Sequence, residues 1–126
     1  MSKGKPVRAF VGGTWRVVGT LRGNVFERWI KQRDILGIRK AVGVDLRYDP
    51  PLGEDTLVRD KHEDGAIYEI GFGELLKHPE AEIAKIGPLH PERIYLPYKY
   101  WRRIRPPAGQ ARQLTLLFDQ RQVAGK

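Results

Sequence analysis

The sequence predicts an α+β fold: a small, mainly antiparallel sheet with one longer helix, one or two short helices and an extended C-terminal tail. Segments rich in β-branched and aromatic residues alternate with Gly, Pro and Asp-Gly turn signals, which is typical of strands. Two other segments carry helical spacing or helix-start residues. The elements follow no regular β-α-β order, so the pattern argues against a parallel sheet.

The first expected elements are a hairpin and the longer helix. Residues 7–11 and 14–21 are rich in strand-forming residues and are joined by Gly12-Gly13, which suits a turn. Asn24 suits the N-cap of a helix that begins at Val25. That helix would end at Gly37 and gather four apolar residues close to one face: Phe26, Trp29, Ile30 and Leu36.

The rest of the domain is expected to be mostly strands. The Asp64-Gly65 pair marks the turn of a second hairpin. Pro79 suits the first position of a second helix, which Gly87-Pro88 would end. The expected elements are a strand at 41–48, a hairpin of 56–60 with 66–70, a helical turn at 73–78, a helix at 80–86, and a strand at 93–103 that is kinked or at a sheet edge at Pro97.

Length and composition predict one domain with a tail. The chain has 126 residues, and its composition changes after Arg105-Pro-Pro, so we expect a domain at 1–105 and a linker with tail at 106–126. The absence of Cys excludes disulfides, thiol nucleophiles and Cys-based zinc sites. No apolar run approaches about eighteen residues, and the N-terminus lacks the apolar segment of a secretory signal. We therefore expect a cytoplasmic protein without a membrane contact.

Positive charge is concentrated at the two ends of the chain. The net charge is +8, made up of +4 over residues 1–21, +4 over 22–40, −7 over 41–92 and +7 over 93–126. Basic flanks folded onto one face would form a patch suited to a polyanion, most commonly the phosphate backbone of nucleic acid. The alternative is a solvated basic surface without a partner.

Two groups of basic residues are candidate nucleic-acid contacts. In a strand at 93–103, alternation would turn Ile94 and Leu96 toward the core and leave basic and aromatic side chains outside. Such a face suits a single-strand binder, although cross-strand aromatic packing is the alternative. The second group is the exposed side of the longer helix, which could also be simply solvated. The candidates are Arg28, Lys31, Arg39, Lys40, Arg93, Tyr95, Lys99, Trp101, Arg102, Arg103 and Arg105.

The tail carries the apolar string QLTLLF beyond a Pro-Pro linker. As a closing strand this string would need cover on both faces, because it does not alternate. It resembles the peptide by which bacterial polymerases and repair proteins bind the replication sliding clamp: a Gln, a Leu three residues later, and a Leu or Phe one or two residues after that. The resemblance implies that Gln113 would hydrogen-bond at the groove rim while Leu116 and Phe118 fill apolar pockets, at about 2 kcal/mol per side chain. The implied clamp-binding residues are Gln113, Leu114, Leu116, Leu117 and Phe118.

Catalytic patterns are incomplete. Carboxylates on or near strands, such as Asp45 and Asp60, could hold Mg²⁺ in a nuclease, but the spacing of acid and Lys around Asp60 does not fit. The three His residues lack zinc-site spacing, and the single serine, Ser2, lies at the N-terminus. No metal and no cofactor are predicted, and an enzymatic role is disfavoured while staying open.

The expected function is that of a small basic accessory protein that binds nucleic acid, DNA rather than RNA, and is tied to the bacterial sliding clamp by its tail. Two weak contacts joined by a linker can together exceed either one by orders of magnitude. Two alternatives stay open: an RNA-binding or regulatory module whose tail is a structural strand, and a Mg²⁺-dependent nuclease. Oligomeric state is not predicted.

Overall fold

The described fold is mostly β. The computed structural model describes residues 4–31, 42–85, 87–89 and 92–108, and 55% of these lie in strands against 11% in helical structure. The predicted α+β class is therefore wrong, since the described helix has only six residues. In chain order the elements are β1 Lys5–Val11, β2 Thr14–Arg22, β3 Val25–Ile30, β4 Val42–Asp45, β5 Leu57–His62, β6 Ile67–Gly71, α1 Phe72–Lys77, β7 Glu82–Lys85, β8 Glu92–Leu96, a 3₁₀ turn Tyr98–Tyr100, and β9 Arg102–Arg105.

These strands form two sheets. The larger has the order β1-β2-β3-β5-β6-β9 and the smaller the order β4-β8-β7. Neighbouring strands are antiparallel except β3 and β5, which run parallel from Val25 opposite Leu57 to Ile30 opposite His62. The parallel pair arises because the chain leaves the larger sheet after β3, contributes β4 to the smaller sheet and then returns as β5.

One apolar core draws on both sheets. Alternate residues of β3, β5 and β6 turn inward, as the two-residue period of a strand requires. They join inward residues of β4 and β8 and two residues of α1 in a single buried cluster. Complete burial of such a side chain contributes about 1.5–3 kcal/mol. Prominent members of this cluster are Phe26, Val58, Ile70, Val44, Ile94, Leu96 and Leu75.

The opposite face of the larger sheet carries a row of alternating charges. Glu27, Arg59, Glu69 and Arg102 lie opposite one another on β3, β5, β6 and β9. Arg59 lies 2.7 Å from Glu69 and 3.8 Å from Glu27, and Arg102 lies 3.9 Å from Glu69. Opposite charges on facing positions stabilise neighbouring strands modestly, so this row suits a face turned to solvent.

The predicted longer helix is wrong where the structure describes it. Residues 25–30 form β3, which follows β2 through a tight turn that Gly23 permits at a φ of +58°. Phe26 and Arg28 alternate into the interior, and Trp29 points outward. Pairing with β2 and β5 therefore prevails over the helical spacing. The rest of the predicted helix, at 32–37, and the candidates Arg39 and Lys40 lie outside the described residues.

The predicted helix at 80–86 is also wrong. Residues 82–85 form β7, an outer strand of the smaller sheet that pairs with β8 from Glu82 opposite Tyr95 to Lys85 opposite Glu92. The helix-start signal at Pro79 is local, whereas this pairing supplies backbone hydrogen bonds to a strand further along the chain.

Predictions that rest on turn chemistry are confirmed. The β1–β2 hairpin turns at Gly12 and Gly13, whose φ values are +63° and +86°. The β5–β6 hairpin turns at Gly65, with a φ of +97°. The short helical turn is also present, as α1.

The predicted strand at 93–103 is interrupted. Near Pro97 the chain leaves β8 in the smaller sheet, forms a 3₁₀ turn and enters β9 in the larger sheet. Among the described residues, no helix is long and apolar enough to cross a membrane. The tail string at 113–118 lies outside the described residues, so the clamp-binding interpretation stays a prediction.

Candidate functional site

A cleft opens where β2 and β3 separate. The two strands pair from Arg22 opposite Val25 as far as Gly19 opposite Arg28. Beyond that point β2 stays with β1, and β3 stays with β5. The resulting cleft has a volume of about 690 Å³ and is lined by Val11, Val17, Val18, Gly19, Thr20, Glu27, Arg28, Trp29, Ile30, Asp45, Lys61 and Arg93.

Glycine at position 19 lets the two strands approach where the cleft begins. A Cβ atom there would lie 2.3 Å from the backbone oxygen of Glu27 and 2.6 Å from the ring of Phe26. Real Cβ contacts are essentially never below 3.0 Å. The last β2–β3 pair before the cleft therefore requires a residue without a side chain.

Two arginines from different sheets meet in this cleft. Arg28 on β3 and Arg93 on β8 both donate to the backbone oxygen of Gly43, over 3.1 Å and 2.8 Å. Arg93 Nε also lies 2.9 Å from Asp45 Oδ1, close enough for an ion pair although its angle falls short of a hydrogen bond. The structure thus joins one residue from each of the two predicted basic groups.

Arg28 forms an ion pair with the buried carboxylate of Asp60. Its Nε and Nη2 donate to Asp60 Oδ1 and Oδ2, each over 2.8 Å, in the two-pronged geometry that suits guanidinium and carboxylate. Arg28 is only 6% exposed and Asp60 is fully buried. Burial opposes the charged guanidinium, but the attraction and hydrogen bonds of Asp60, together with the phenols of Tyr48 and Tyr98, outweigh it, and the pKa of Arg28 is raised above its usual value.

A hydrogen-bonded chain extends from Asp60 into the core. The hydroxyl of Tyr98 lies 2.6 Å from Asp60 Oδ2 and 2.8 Å from His62 Nε2. Burial and the neighbouring Asp60 raise the pKa of Tyr98, so its hydroxyl stays protonated. Its single proton is donated to Asp60, and the hydroxyl must then accept from a protonated Nε2 of His62. Tyr68 stacks on Tyr98 with ring centroids 4.1 Å apart.

The cleft mouth combines a ring, an apolar side chain and a cation. Trp29 is 59% exposed, and Val17, which lines the cleft from β2, is equally exposed. Lys61 lies opposite Trp29 in the parallel β3–β5 pair. Within the described part of the chain, Lys61 has no carboxylate at ion-pair distance. A flat ring therefore stands beside a positive charge.

The carboxylates at the cleft are already engaged by arginines. Glu27 lies 3.1 Å from Arg22 and 3.8 Å from Arg59 on the outer face. Asp45 lies beside Arg93. Their negative charge is thus largely balanced within the protein, and an anion entering beside Lys61 would meet little repulsion.

Two predicted contact residues are placed differently from expectation. Arg28 was expected on an exposed helix face but is buried on β3, because Asp60 balances its charge. Trp101 was expected outside but is buried: its indole donates to the oxygen of Leu96 over 3.2 Å and packs edge-on against Tyr98. The chain turns between β8 and β9, so the predicted alternation does not continue through Trp101.

The other predicted contact residues are spread over the surface. Arg102 is exposed but lies 3.2 Å from Glu74 and 3.9 Å from Glu69. Tyr95 is half-buried opposite Gly43. The other exposed members of the predicted set are Lys31, Lys99, Arg103 and Arg105.

The sequence did not reveal Trp29 and Lys61 as site residues. Trp29 was assigned to the apolar face of a helix, and Lys61 to a hairpin turn. The available signal was the alternation of Phe26 and Arg28 with Glu27 and Trp29, which fits a strand with one charged residue inside.

In the described ranges, no group of three or more His, Cys, Asp or Glu side chains is arranged to hold a metal ion. Asp45 and Asp60, two of the carboxylates considered for a nuclease, lie in different sheets and each pairs with an arginine. A comparison of the chain with protein families, curated proteins and solved structures finds no match.

Proposed function

We propose that this protein is a small basic accessory protein that binds nucleic acid, and that its tail ties it to the bacterial sliding clamp. Nucleic-acid binding is supported by one observation: some arginines pair with carboxylates of the fold, whereas other basic residues at the surface do not. The buried carboxylates of both sheets lie within ion-pair distance of arginines: Asp45, Asp60 and Glu69. The buried part of the acidic middle is therefore balanced inside the fold, while other carboxylates of that segment, such as Asp49, Asp55 and Glu63, are exposed.

The two outermost strands of the larger sheet, β1 and β9, carry exposed cations. Lys5 and Arg8 on β1, and Arg103 and Arg105 on β9, are exposed. Within the described residues none of these four has a carboxylate at ion-pair distance. Unpaired surface cations attract phosphate backbones without regard to sequence and release counterions on binding. We therefore infer weak, sequence-independent binding.

A double substitution on β9 tests this part of the proposal. Replacing Arg103 and Arg105 by Gln removes two unpaired cations, so log Kd for duplex DNA should depend less steeply on log salt, by about 2. The control replaces Arg22 and Lys77 by Gln, an equal change in charge at exposed cations that already pair with Glu27 and Glu54. Equal effects of the two pairs, or no binding by the wild type, would overturn the proposal.

The clamp contact rests on the resemblance of QLTLLF to clamp-binding peptides. Because those peptides belong to replication and repair proteins, we take the nucleic acid to be DNA and the setting to be cytoplasmic. Calorimetric titration with a bacterial sliding clamp should show binding that is lost in Leu116→Ala/Phe118→Ala and kept in Thr115→Ala/Val123→Ala. If Leu116→Ala/Phe118→Ala instead lowers the midpoint of unfolding and the wild type does not bind the clamp, QLTLLF is a structural strand.

A further inference from the structure

We propose that the cleft between β2 and β3 holds one unpaired nucleobase of a single strand, stacked on Trp29, with its phosphate beside Lys61. This inference deepens the proposed function and rests on it. It assigns a specific subsite, whereas the outer-strand cations account only for general attraction.

The ring is the first reason. Trp29 stands 59% exposed at the mouth of the cleft, and the equally exposed Val17 lies on the opposite strand. Large apolar side chains that line a concave site are typical of ligand contacts, and tryptophan stacks on every base because each base has a π face. The volume of about 690 Å³ falls in the range of about 300–1,000 Å³ that is usual for small-molecule sites, so a nucleotide unit fits.

The position of Lys61 is the second reason. Lys61 lies opposite Trp29 in the register of β3 and β5, so the ring and the cation share one face of the sheet. Within the described residues, Lys61 has no carboxylate at ion-pair distance. An unpaired cation beside a stacking ring favours a phosphate at this position.

The cleft between the separating strands β2 and β3 favours a single strand over a duplex. Trp29 and Lys61 both line one cleft between separating strands. A base inside a duplex is paired and stacked, and it reaches a protein pocket only after unstacking at a cost of a few kcal/mol. A base in a single strand is available without that cost.

Two tryptophans allow a matched test. Anisotropy titrations would use fluorescent oligodeoxythymidine and oligouridine of about 12 nucleotides with the wild type, Trp29→Ala, Trp29→Phe and Trp15→Ala. Trp15 is 42% exposed and packs edge-on against Phe10, and it does not line the cleft. We expect Trp29→Ala to weaken binding about tenfold or more, and Trp29→Phe and Trp15→Ala to change it less than about threefold.

A matched pair of lysines tests the phosphate contact. Lys61→Gln should weaken binding to both oligonucleotides and lower the salt slope by about 0.7, the value for one phosphate of a single strand. Lys99→Gln removes an exposed lysine that does not line the cleft, and it should have a smaller effect.

Duplex DNA of the same length separates this inference from the proposed function. Duplex binding should be unaffected by Trp29→Ala, since it uses the outer-strand cations. If the wild type binds duplex and single strand and Trp29→Ala changes neither, the stacking site is wrong while the proposed function stands. If the wild type binds no nucleic acid, both are wrong. Dependence on Trp29 with either oligonucleotide supports the site, and comparison of the two shows whether the sugar matters.

Discussion

The substitution Asp60→Asn tests the buried ion pair beneath the cleft. It keeps the size and shape of the side chain but removes its charge. The carboxylate accepts two hydrogen bonds from Arg28 and one from Tyr98, and both members of the ion pair are almost completely shielded from water. The amide cannot accept all three bonds and leaves the guanidinium charge without its partner.

The expected loss of stability is large. Removing one member of a buried ion pair costs about 3–5 kcal/mol, because the remaining charge is buried without compensation. Small domains are stable by about 5–15 kcal/mol in total. The variant should therefore unfold at a much lower urea concentration, with a melting temperature lower by more than about 10 °C.

Urea denaturation followed by tryptophan fluorescence measures this loss. The control is Asp55→Asn, the same chemical change at an exposed carboxylate, which should shift the free energy of unfolding by less than about 0.5 kcal/mol. Adding Arg28→Met to Asp60→Asn should restore part of the stability, since it removes the unpaired charge. A loss below about 1 kcal/mol in Asp60→Asn, or losses that simply add in the double variant, would refute the reasoning.

Two further predictions concern the interior phenols and the start of the cleft. Burial raises the pKa of Tyr98 and of Tyr48 above 10.0 in the folded chain. Because the same phenols ionise at lower pH in the unfolded chain, the stability they contribute is complete below about pH 10 and is lost as the pH rises above that value. In urea unfolding from about pH 8 to about pH 11, the free energy of unfolding of the wild type should fall as the pH rises, and this fall should be smaller in Tyr98→Phe by up to about 1.4 kcal/mol per pH unit. Identical pH profiles for the wild type and Tyr98→Phe would contradict this prediction. Gly19→Ala forces a Cβ against a backbone oxygen and should cost at least about 2 kcal/mol, with faster amide exchange along β2 and β3. The control Gly71→Ala meets nothing closer than 3.6 Å and should be nearly neutral, so equal losses would speak against the close approach.

Sequence patterns predicted the parts of the fold that local chemistry determines. Gly12-Gly13 and Asp64-Gly65 specify turns by their own backbone preferences, and both hairpins are present. The segment that begins at Val25 was mispredicted because its apolar spacing fits a helix, whereas its pairing with β5 depends on residues about thirty positions away.

The candidate site was not predicted from the sequence for a related reason. A charged residue in a sequence suggests solvent exposure, yet Arg28 is buried by a partner 32 positions away. Arg93 joins it through Gly43, 50 positions before it in the chain. The basic character of the surface could be predicted from composition, but the convergence of these residues depends on how two sheets meet.

The most direct test of the proposed binding site is a nuclear magnetic resonance titration of the tryptophan indole N–H signals with unlabelled oligodeoxythymidine. The chain has three tryptophans, so the spectrum offers three separate reporters. We predict that the Trp29 signal shifts progressively and saturates, while Trp101, whose indole donates to the oxygen of Leu96, stays in place. If the oligonucleotide binds and the Trp29 signal does not move, or if all three signals are unchanged at saturating concentration, the cleft is not the site.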